Sequence, residues 1–304
     1  MHNLIDISRL NKEEIIEITE LASQFEESKA VSTCLEQHLA LLFFETSTIT
    51  HFSFEMAANK LGLHVYNFDT NKSSFMKGES MKDAIENLYA VGINGVVIRH
   101  GESGIIDKTI NEINCPMTFI NAGDGNHAHP TQALLDFYTM KKHFGPIDPI
   151  KTIEGKKIAI IGDIKHSRVA HSNVALLKKF GAEIWLCAPK YFQDDIKDVI
   201  FTHKLEEALK DADVAMTLRV QKERLEDRFP IFDYIHDYGL TMKKLQNFAK
   251  KDVLIMHPGP VNRDVEISSE VLDSEYGKII LEQAHNGVFI RMAVLDLLLR
   301  KYNT

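Results

Sequence analysis

The sequence predicts an α/β protein made of two doubly wound domains, each a parallel sheet with helices on both faces. Short apolar runs alternate along the chain with amphipathic stretches, and this alternation is typical of parallel sheets. The length of 304 residues exceeds what one small core needs and favours about two domains. The stretch 143–155, with two prolines, two glycines and no apolar periodicity, is the best internal boundary.

Buried strands are predicted from the apolar runs, and helices from the periodic stretches between them. The predicted strands are 39–44, 95–98, 117–120, 157–161, 183–186, 214–218 and 253–256. The predicted helices are 12–25, 52–61, 81–91, 131–143, 168–180 and 287–301. Ligands of parallel sheets bind beyond the carboxyl ends of the strands, so the residues that follow each strand are the candidate site.

Composition and charge argue against several classes of protein. The 44% hydrophobic and 26% charged residues are ordinary globular values. The formal net charge of −8, without a basic block, argues against a nucleic-acid partner. We expect no signal peptide and no membrane association, because no apolar run approaches the roughly 18 residues of a membrane helix. The three cysteines are scattered without a CxxC pair, which indicates reduced thiols and a cytoplasmic protein.

Hydroxyl residues follow the first predicted strand, directly before a helix. Ser47, Thr48 and Thr50 are typical of helix caps, yet the free N–H groups of a helix start also bind anions. Both interpretations stay open from the residues alone. Arg99 follows the second predicted strand, where it is either a solvated charge or an anion ligand.

The loop after the third predicted strand carries His129 and Gln132. These residues are three apart across a helix start, so both side chains can face one ligand. Asp124, His127 and His129 lack the ligand spacing of known metal sites, so we expect no metal.

The second half of the chain repeats the pattern. A dinucleotide fingerprint would need GxGxxG after the strand 157–161, but Gly162 stands alone, so we expect no nicotinamide cofactor. Arg168 opens a predicted helix, where the helix dipole disfavours a cation, and this indicates an anionic ligand. Arg219 and Gln221 follow the strand 214–218.

Gly259 and Pro260 follow the last predicted strand, in the run His-Pro-Gly-Pro. Prolines remove backbone donors, so this loop either offers carbonyl groups to a ligand or is simply a rigid turn. Together the strand ends provide hydroxyls, arginines, a histidine, a glutamine and carbonyls. Such a site binds two small anions and polarises a carbonyl group without supplying a protein nucleophile.

Several longer motifs resemble the aspartate carbamoyltransferase family, in the same order over essentially the whole chain. They are SFEMA (53–57), SSFMKGES (73–80), NAGDGNHAHPTQALLD (121–136), GDIKHSRVAHS (162–172), LRVQKER (218–224), MHPGPVNRDVEI (256–267) and NGVFIRMAVL (286–295). The HPGPVNR loop and the SSxxKGE segment resemble the aspartate-using branch. The ornithine-using branch has a His-Cys-Leu-Pro loop, which is absent here.

The resemblance implies transfer of a carbamoyl group from carbamoyl phosphate to aspartate, a step of pyrimidine biosynthesis, without cofactor or metal. It implies a carbamoyl-phosphate-binding domain (1–143), an aspartate-binding domain (144–286) and a C-terminal helix (287–304) that packs back on the first domain. It also implies a homotrimer with shared active sites, and leaves association with regulatory chains open.

The resemblance further implies a role for each site residue. Ser47, Thr48 and Thr50 would hold the phosphate; Arg99, His129 and Thr50 would bind the carbonyl oxygen. Gln132 and the Gly259–Pro260 backbone would lie near the amino group of carbamoyl phosphate. Arg168, Arg219 and Gln221 would bind aspartate, and Ser73 and Lys77 would reach the active site of a neighbouring subunit. The implied catalytic set is Thr50, Arg99, His129 and Lys77.

One position departs from the family. Members read Ser-Thr-Arg-Thr-Arg where this chain reads Ser47-Thr48-Ile49-Thr50-His51, and Ile49 cannot donate to a departing phosphate. Losing one preorganised donor costs roughly 3 to 4 kcal/mol, about 10² to 10³ in rate. His51 either compensates, if the phosphate keeps it protonated, or is a surface side chain.

Three hypotheses follow from this departure: a slow or compensated aspartate carbamoyltransferase, an inactive homologue that serves as an assembly or regulatory partner, and a carbamoyltransferase with another acceptor. The retained pocket cations favour the first hypothesis over the second. The retained carboxylate ligands Arg168, Arg219 and Gln221 weigh against the third.

Overall fold

The computed structural model describes residues 2–68, 78–145, 148, 151–220 and 231–300. The chain divides into two compact units, Met1–Leu135 with Asn286–Thr304, and Asp136–His285. Each unit contains one parallel sheet accompanied by helices, which confirms the predicted α/β class. The strands are β1 (His38–Phe43), β2 (His64–Phe68), β3 (Gly95–His100), β4 (Thr118–Asp124), β5 (Lys157–Ile161), β6 (Glu183–Cys187), β7 (Ile200–Thr202), β8 (Val214–Thr217) and β9 (Leu254–Met256).

Several helices begin where a side chain satisfies free N–H groups of the first turn. Asn11 and Glu14 form a capping box at the start of α1, and Ser80 accepts a hydrogen bond from Asp83 N, 3.1 Å away, at the start of α3. The helices are α1 (Lys12–Glu26), α2 (Thr48–Lys60), α3 (Met81–Ala90), α4 (Ile105–Glu112), α5 (Pro130–Phe144), α6 (Arg168–Lys179), α7 (Leu205–Leu209), α8 (Ile231–Tyr238), α9 (Met242–Phe248), α10 (Ser269–Leu272) and α11 (Glu275–Leu299).

The sheet of the first unit has the strand order β2-β1-β3-β4. Four consecutive residues of β1, Leu39 to Leu42, are buried, as expected for a parallel strand covered on both faces. The chain leads from β1 outward to β2 and then returns past β1 to β3 and β4. Right-handed crossovers in opposite directions place their helices on opposite faces of the sheet. The direction therefore reverses between β1 and β3, where ligands of such sheets bind.

The sheet of the second unit has the strand order β7-β6-β5-β8-β9. Its central strands β5 and β8 pair in parallel, with Ile158 opposite Val214 and Ile161 opposite Thr217. The chain moves from β5 to β6 and β7 on one side, and then to β8 and β9 on the other. The reversal here lies between β5 and β8, so the residues that follow these two strands form the candidate site of this unit.

Seven strands match the predicted runs, whereas the sequence analysis missed β2 and β7. Both are edge strands: β2 is largely exposed and β7 has three residues. A search for buried apolar runs does not detect such strands. It also missed the short helices α4, α7, α8, α9 and α10.

Two predicted helix starts are wrong. Helix α2 begins at Thr48 rather than at residue 52, because the chain turns into the helix directly after Ser47. Helix α11 begins at Glu275 rather than at residue 287, and its 25 residues make it longer than predicted. Within the described ranges, no helix combines the length and apolar character needed to cross a membrane.

Candidate active site

The start of α2, at the carboxyl end of β1, is the first candidate site. Ser47 is the N-cap residue, and its side chain makes no capping hydrogen bond. Thr50 is buried with 7% of its surface exposed, whereas the neighbouring Ile49 is 48% exposed. First-turn N–H groups have no acceptor within the helix and carry the positive end of its dipole. Together with the hydroxyls of residues 47, 48 and 50, this helix end has the chemistry of an oxyanion site.

A cavity of about 350 Å³ adjoins this helix start. The described residues that line it include His51 but not Ile49. The other lining residues are Phe43, Phe44, Glu45, Thr46, Ser47, Thr48 and Phe52. The His51 ring packs edge-on against Phe43, and its Nδ1 lies 3.9 Å from a carboxylate oxygen of Glu55. His51, rather than Ile49, therefore borders the cavity.

Arg99 lies near the end of β3, paired in register with Phe43 of β1. Its Nη1 donates a hydrogen bond to the carbonyl oxygen of Ala122 in β4, at 3.1 Å. Its Nε lies 3.5 Å from Glu45 Oε2, and 13% of the side chain is exposed. The guanidinium is thus anchored at the strand ends where the direction of the sheet reverses.

The buried carboxylate of Asp124 organises the loop after β4. One oxygen accepts hydrogen bonds from Asn121 Nδ2 at 2.8 Å and from Ala128 N at 3.2 Å. The other accepts a hydrogen bond from Gly104 N at 2.8 Å, which ties the loop to the segment after β3. A carboxylate with several N–H donors fixes a loop more firmly than a neutral acceptor.

This loop leads into α5 with His129 and Gln132, both buried at 4% and 6% exposure. His127, which precedes both residues in the loop, has its Nδ1 2.9 Å from Asp124 Oδ2 and its Nε2 3.3 Å from Asp6 Oδ2. The side chain of His127 is therefore occupied by structural contacts, while His129 and Gln132 lie at the helix start after a sheet strand.

In the second unit, Arg168 and Arg219 follow the two strands that flank the reversal. Gly162 directly follows β5 with φ of 131°, and a Cβ there would lie 3.1 Å from Leu218 Cβ, so glycine permits the close approach of the two segments. Arg168 is the first residue of α6 and is 8% exposed. Ser167 caps this helix by accepting a hydrogen bond from Ala170 N at 3.1 Å.

The loop after β9 begins with His257, which is 1% exposed. Gly259 N donates a hydrogen bond to His257 Nδ1 at 2.8 Å, and Gly259 has φ of 69°, a conformation that favours glycine. The peptide bond to Pro260 is cis. Burial, with a contribution from the charge of Arg219, lowers the pKa of His257 to about 3, so the ring is neutral and can accept this hydrogen bond.

Two predicted site residues, Lys77 and Gln221, lie outside the described residues, as does Ser73. Within the described part of the chain, no three His, Cys, Asp or Glu side chains form a group that could hold a metal ion.

The sequence analysis missed the buried acids that support these segments. Asp124, Asp136 and Glu266 are at most 1% exposed. A local signal existed for Asp136, because it interrupts the apolar run Ala-Leu-Leu-Asp-Phe, and acids are rarely fully buried without partners. However, Asp136 accepts a hydrogen bond from Gln283 and Glu266 accepts one from Val220 N, and both donors are distant in sequence.

Two family models match the chain. The aspartate/ornithine carbamoyltransferase, carbamoyl-P binding domain matches residues 2–142, and the aspartate/ornithine carbamoyltransferase, Asp/Orn binding domain matches residues 154–298. The chain belongs to the aspartate/ornithine carbamoyltransferase family. The resemblance drawn from the motifs is therefore confirmed.

Other members of this family align with nearly the whole length of the chain. The aspartate carbamoyltransferase catalytic subunit of Listeria welshimeri is 42% identical and covers 99% of this chain and 97% of its own length. That of Aliarcobacter butzleri is 42% identical, with 98% of each chain covered. The aspartate transcarbamoylase of Trypanosoma cruzi in complex with carbamoyl phosphate and aspartate has a TM-score of 0.83 at 29% identity, covering 97% of this chain and 95% of its own. The complex of that protein with carbamoyl aspartate and phosphate has the same TM-score and identity, and covers 97% and 94%.

Proposed function

We propose that this chain transfers the carbamoyl group of carbamoyl phosphate to the amino group of L-aspartate, giving N-carbamoyl-L-aspartate and phosphate. The observation that carries the proposal is the 42% identity, over 99% of the chain, to a relative named aspartate carbamoyltransferase catalytic subunit. The ligands named for the Trypanosoma cruzi structures are the substrates and products of this reaction.

The reaction needs stabilisation of charge rather than a protein nucleophile. The amine attacks the carbonyl carbon, a C–N bond forms, and the proton that the amine loses leaves with the departing phosphate. The tetrahedral intermediate then collapses as the C–O bond to phosphate breaks. Charge develops first on the carbonyl oxygen and then on phosphate, so fixed donors at these two places lower the barrier.

In our proposal the first domain (1–143) binds carbamoyl phosphate. The hydroxyls of Ser47, Thr48 and Thr50, with the N–H groups at the start of α2, hold the phosphate. Arg99, His129 and Thr50 donate to the carbonyl oxygen, and Gln132 lies near the amino group. Two properties of the described residues support these roles. The side chain of Ser47 makes no capping hydrogen bond at the start of α2. Arg99 near the end of β3, and His129 and Gln132 at the start of α5, are largely buried polar side chains.

The second domain (144–286) binds aspartate through Arg168, Arg219 and Gln221, and contributes the Gly259–Pro260 backbone near the amino group of carbamoyl phosphate. Arg168 supports this role, because a largely buried cation at a helix start is disfavoured by the dipole unless an anion accompanies it.

The proposal also covers the oligomeric state, the metabolic pathway and the cellular location. Lys77 acts in the active site of a neighbouring subunit, so the working form is a homotrimer in which the C-terminal helix (287–304) packs on the first domain. The product feeds pyrimidine biosynthesis in the cytoplasm. The homotrimer follows from the resemblance of the segment 73–80, and sedimentation of the purified chain tests it.

In this proposal His51 supplies only part of the positive charge that is missing at Ile49. It lines the cavity at the start of α2, together with Ser47 and Thr48, which are proposed to hold the phosphate. An imidazolium has one positive charge, as the expected arginine has, but fewer donors.

Formation of N-carbamoyl-aspartate from the purified chain tests the function. We expect product from carbamoyl phosphate and L-aspartate, none without aspartate, and none when L-ornithine replaces aspartate. Arg99→Ala is the matched control that removes one proposed donor. A folded wild-type chain that forms no carbamoyl-aspartate at saturating substrates would refute the proposal and favour an inactive assembly partner; product from another amine alone would indicate a changed acceptor.

A further inference from the structure

A chain of hydrogen bonds between buried polar groups of the second unit takes no direct part in the proposed reaction. Asp136 is fully buried and accepts hydrogen bonds from Asn173 Nδ2 and Gln283 Nε2, each at 2.8 Å. Gln283 Oε1 accepts a hydrogen bond from the backbone N–H of His257 at 2.9 Å. His257 Nδ1 in turn accepts a hydrogen bond from the N–H of Gly259 at 2.8 Å.

We propose that this chain of hydrogen bonds is a positioning device, in which Asp136 acts through Gln283 and His257 to fix the Gly259–Pro260 turn. His257 is the positioning residue that contacts the turn. The inference rests on the proposed function, in which the carbonyl groups of this turn lie near the amino group of carbamoyl phosphate.

The donors and acceptors in this chain of hydrogen bonds permit only one orientation of the Gln283 amide. Both carboxyl oxygens of Asp136 accept hydrogen bonds, one from Asn173 and one from Gln283, so the amide NH₂ of Gln283 faces Asp136. The amide oxygen of Gln283 is then turned toward the N–H of His257. A reversed amide would put oxygen against oxygen at one end and N–H against N–H at the other. Asp136 therefore sets the orientation of Gln283.

The same reasoning fixes the tautomer of His257. Because Nδ1 accepts the hydrogen bond from Gly259, the ring proton is on Nε2, which lies 3.9 Å from Glu266 Oε2. Burial and the charge of Arg219 keep the pKa of His257 well below its usual range, so the ring does not gain a second proton at neutral pH. Nδ1 therefore stays an acceptor under all ordinary assay conditions.

The carboxylate of Asp136 also ties the helix that carries Arg168. Asn173 lies in α6, donates to Asp136, and donates to Val169 O at 3.1 Å. One buried acid thus connects α6 with the loop after β9, and both segments contribute proposed site residues. Apolar side chains of similar volume often stabilise a core as well as buried charges do, so a network of this kind points to fixed geometry.

Two substitutions of His257 separate positioning from packing. In His257→Asn the amide oxygen takes the place of Nδ1, whereas in His257→Gln the polar group takes the place of Nε2. Glutamine is closer to histidine in length, so a packing role predicts that Gln is tolerated better than Asn. A positioning role predicts the opposite order. We expect kcat/KM for carbamoyl phosphate to fall roughly 10- to 100-fold in His257→Gln and by less than about threefold in His257→Asn.

Amide hydrogen exchange gives a second measurement that does not depend on turnover. We expect the peptide 257–266 to exchange faster in His257→Gln than in the wild type, and His257→Asn to resemble the wild type. If both variants fail to fold, Asp136→Asn tests the same inference. The NH₂ group of the new asparagine would face one of the two donors, Asn173 or Gln283, and would remove that hydrogen bond. Faster exchange in 257–266 is then expected, and unchanged exchange would overturn the inference.

The outcomes are distinguishable from failure of the proposed function. A wild type that forms no carbamoyl-aspartate refutes the function, while the exchange measurement still decides whether His257 fixes the turn. Equal exchange and equal activity in His257→Asn and His257→Gln, or a better-tolerated Gln, would overturn the positioning role.

Discussion

Replacing Ile49 with arginine restores the charge that the family resemblance predicts at the start of α2. The fold tolerates this change, because the Ile49 side chain is 48% exposed and lies outside the residues that line the cavity. Thr50, the next residue, is only 7% exposed. An arginine at position 49 therefore begins at the surface, and its long stem can bring the guanidinium over the helix start.

The cost in stability is small compared with the expected gain in rate. Burying an isoleucine fully stabilises by about 1.5 to 3 kcal/mol, so losing a half-buried one costs roughly 1 kcal/mol. A cation in the first turn opposes the helix dipole by about 0.3 to 1 kcal/mol. A preorganised donor that acts on the transition state contributes roughly 3 to 4 kcal/mol, which corresponds to about 10² to 10³ in kcat.

The assay compares kcat and the KM for carbamoyl phosphate in the wild type and in Ile49→Arg. Ile49→Gln controls for length and polarity without charge. Met56→Arg adds the same charge to the same exposed face of α2, since residues 49, 52 and 56 are spaced by three and four, but about 10 Å farther along the axis. We expect Ile49→Arg alone to raise kcat, with a smaller change in KM.

An unchanged or lower kcat in folded Ile49→Arg would refute this reasoning. His51 is then the first candidate for the missing cation, because it lines the cavity. In that case His51→Ala should lose most of the turnover and His51→Lys should retain more of it. An equal rise in Met56→Arg would instead mean that a general positive potential attracts the substrate, with no specific contact at position 49.

Three further predictions test the proposed roles. Arg99→Ala should lower kcat by about 10² to 10³, more than it weakens substrate binding, and steady-state kinetics with unchanged turnover would contradict its role at the oxyanion. Mixing Lys77→Ala with Arg99→Ala chains should restore activity, because a hybrid trimer contains one intact site; folded variants that do not complement would contradict shared sites. His257 should make stability depend on pH: its pKa is lowered from 6.5 to about 3, so below pH 6.5 the unfolded chain takes up a proton that the folded chain does not. Unfolding free energy from urea titrations should therefore fall by about 1.4 kcal/mol per pH unit below 6.5, and His257→Asn should remove that part of the slope. An identical slope in this variant would contradict the lowered pKa.

The central strands and the residues at their carboxyl ends were predictable because burial leaves a direct mark on the sequence. In β5 and β8 most positions are apolar, since both faces of a parallel strand are covered. The residue types that follow such strands are unusual for a core, so Arg99 and Arg219 stood out. Edge strands such as β2 carry no such mark, because most of its side chains face solvent.

The supporting contacts of the site were not predictable for a different reason. Asp136 contacts Gln283 across 147 positions of the sequence, and Val220 contacts Glu266 across 46. The apolar run around Asp136 indicates that this acid is buried, but nothing local identifies the distant donors that bind it. The neutral state of His257 likewise depends on the fold, since burial and the charge of Arg219 lower the pKa of the ring.

The first turn of α2 shows how the fold and the chemistry make separate demands on adjacent residues. Thr50 is buried, so both packing and the proposed phosphate contact constrain it. Ile49 is half exposed, so the fold accepts many side chains there and the constraint comes from the chemistry alone. A substitution at position 49 therefore changes turnover with little change in stability, whereas a substitution at Thr50 changes both. The effect of having isoleucine instead of arginine at position 49 is therefore measured by kcat, not by the free energy of unfolding.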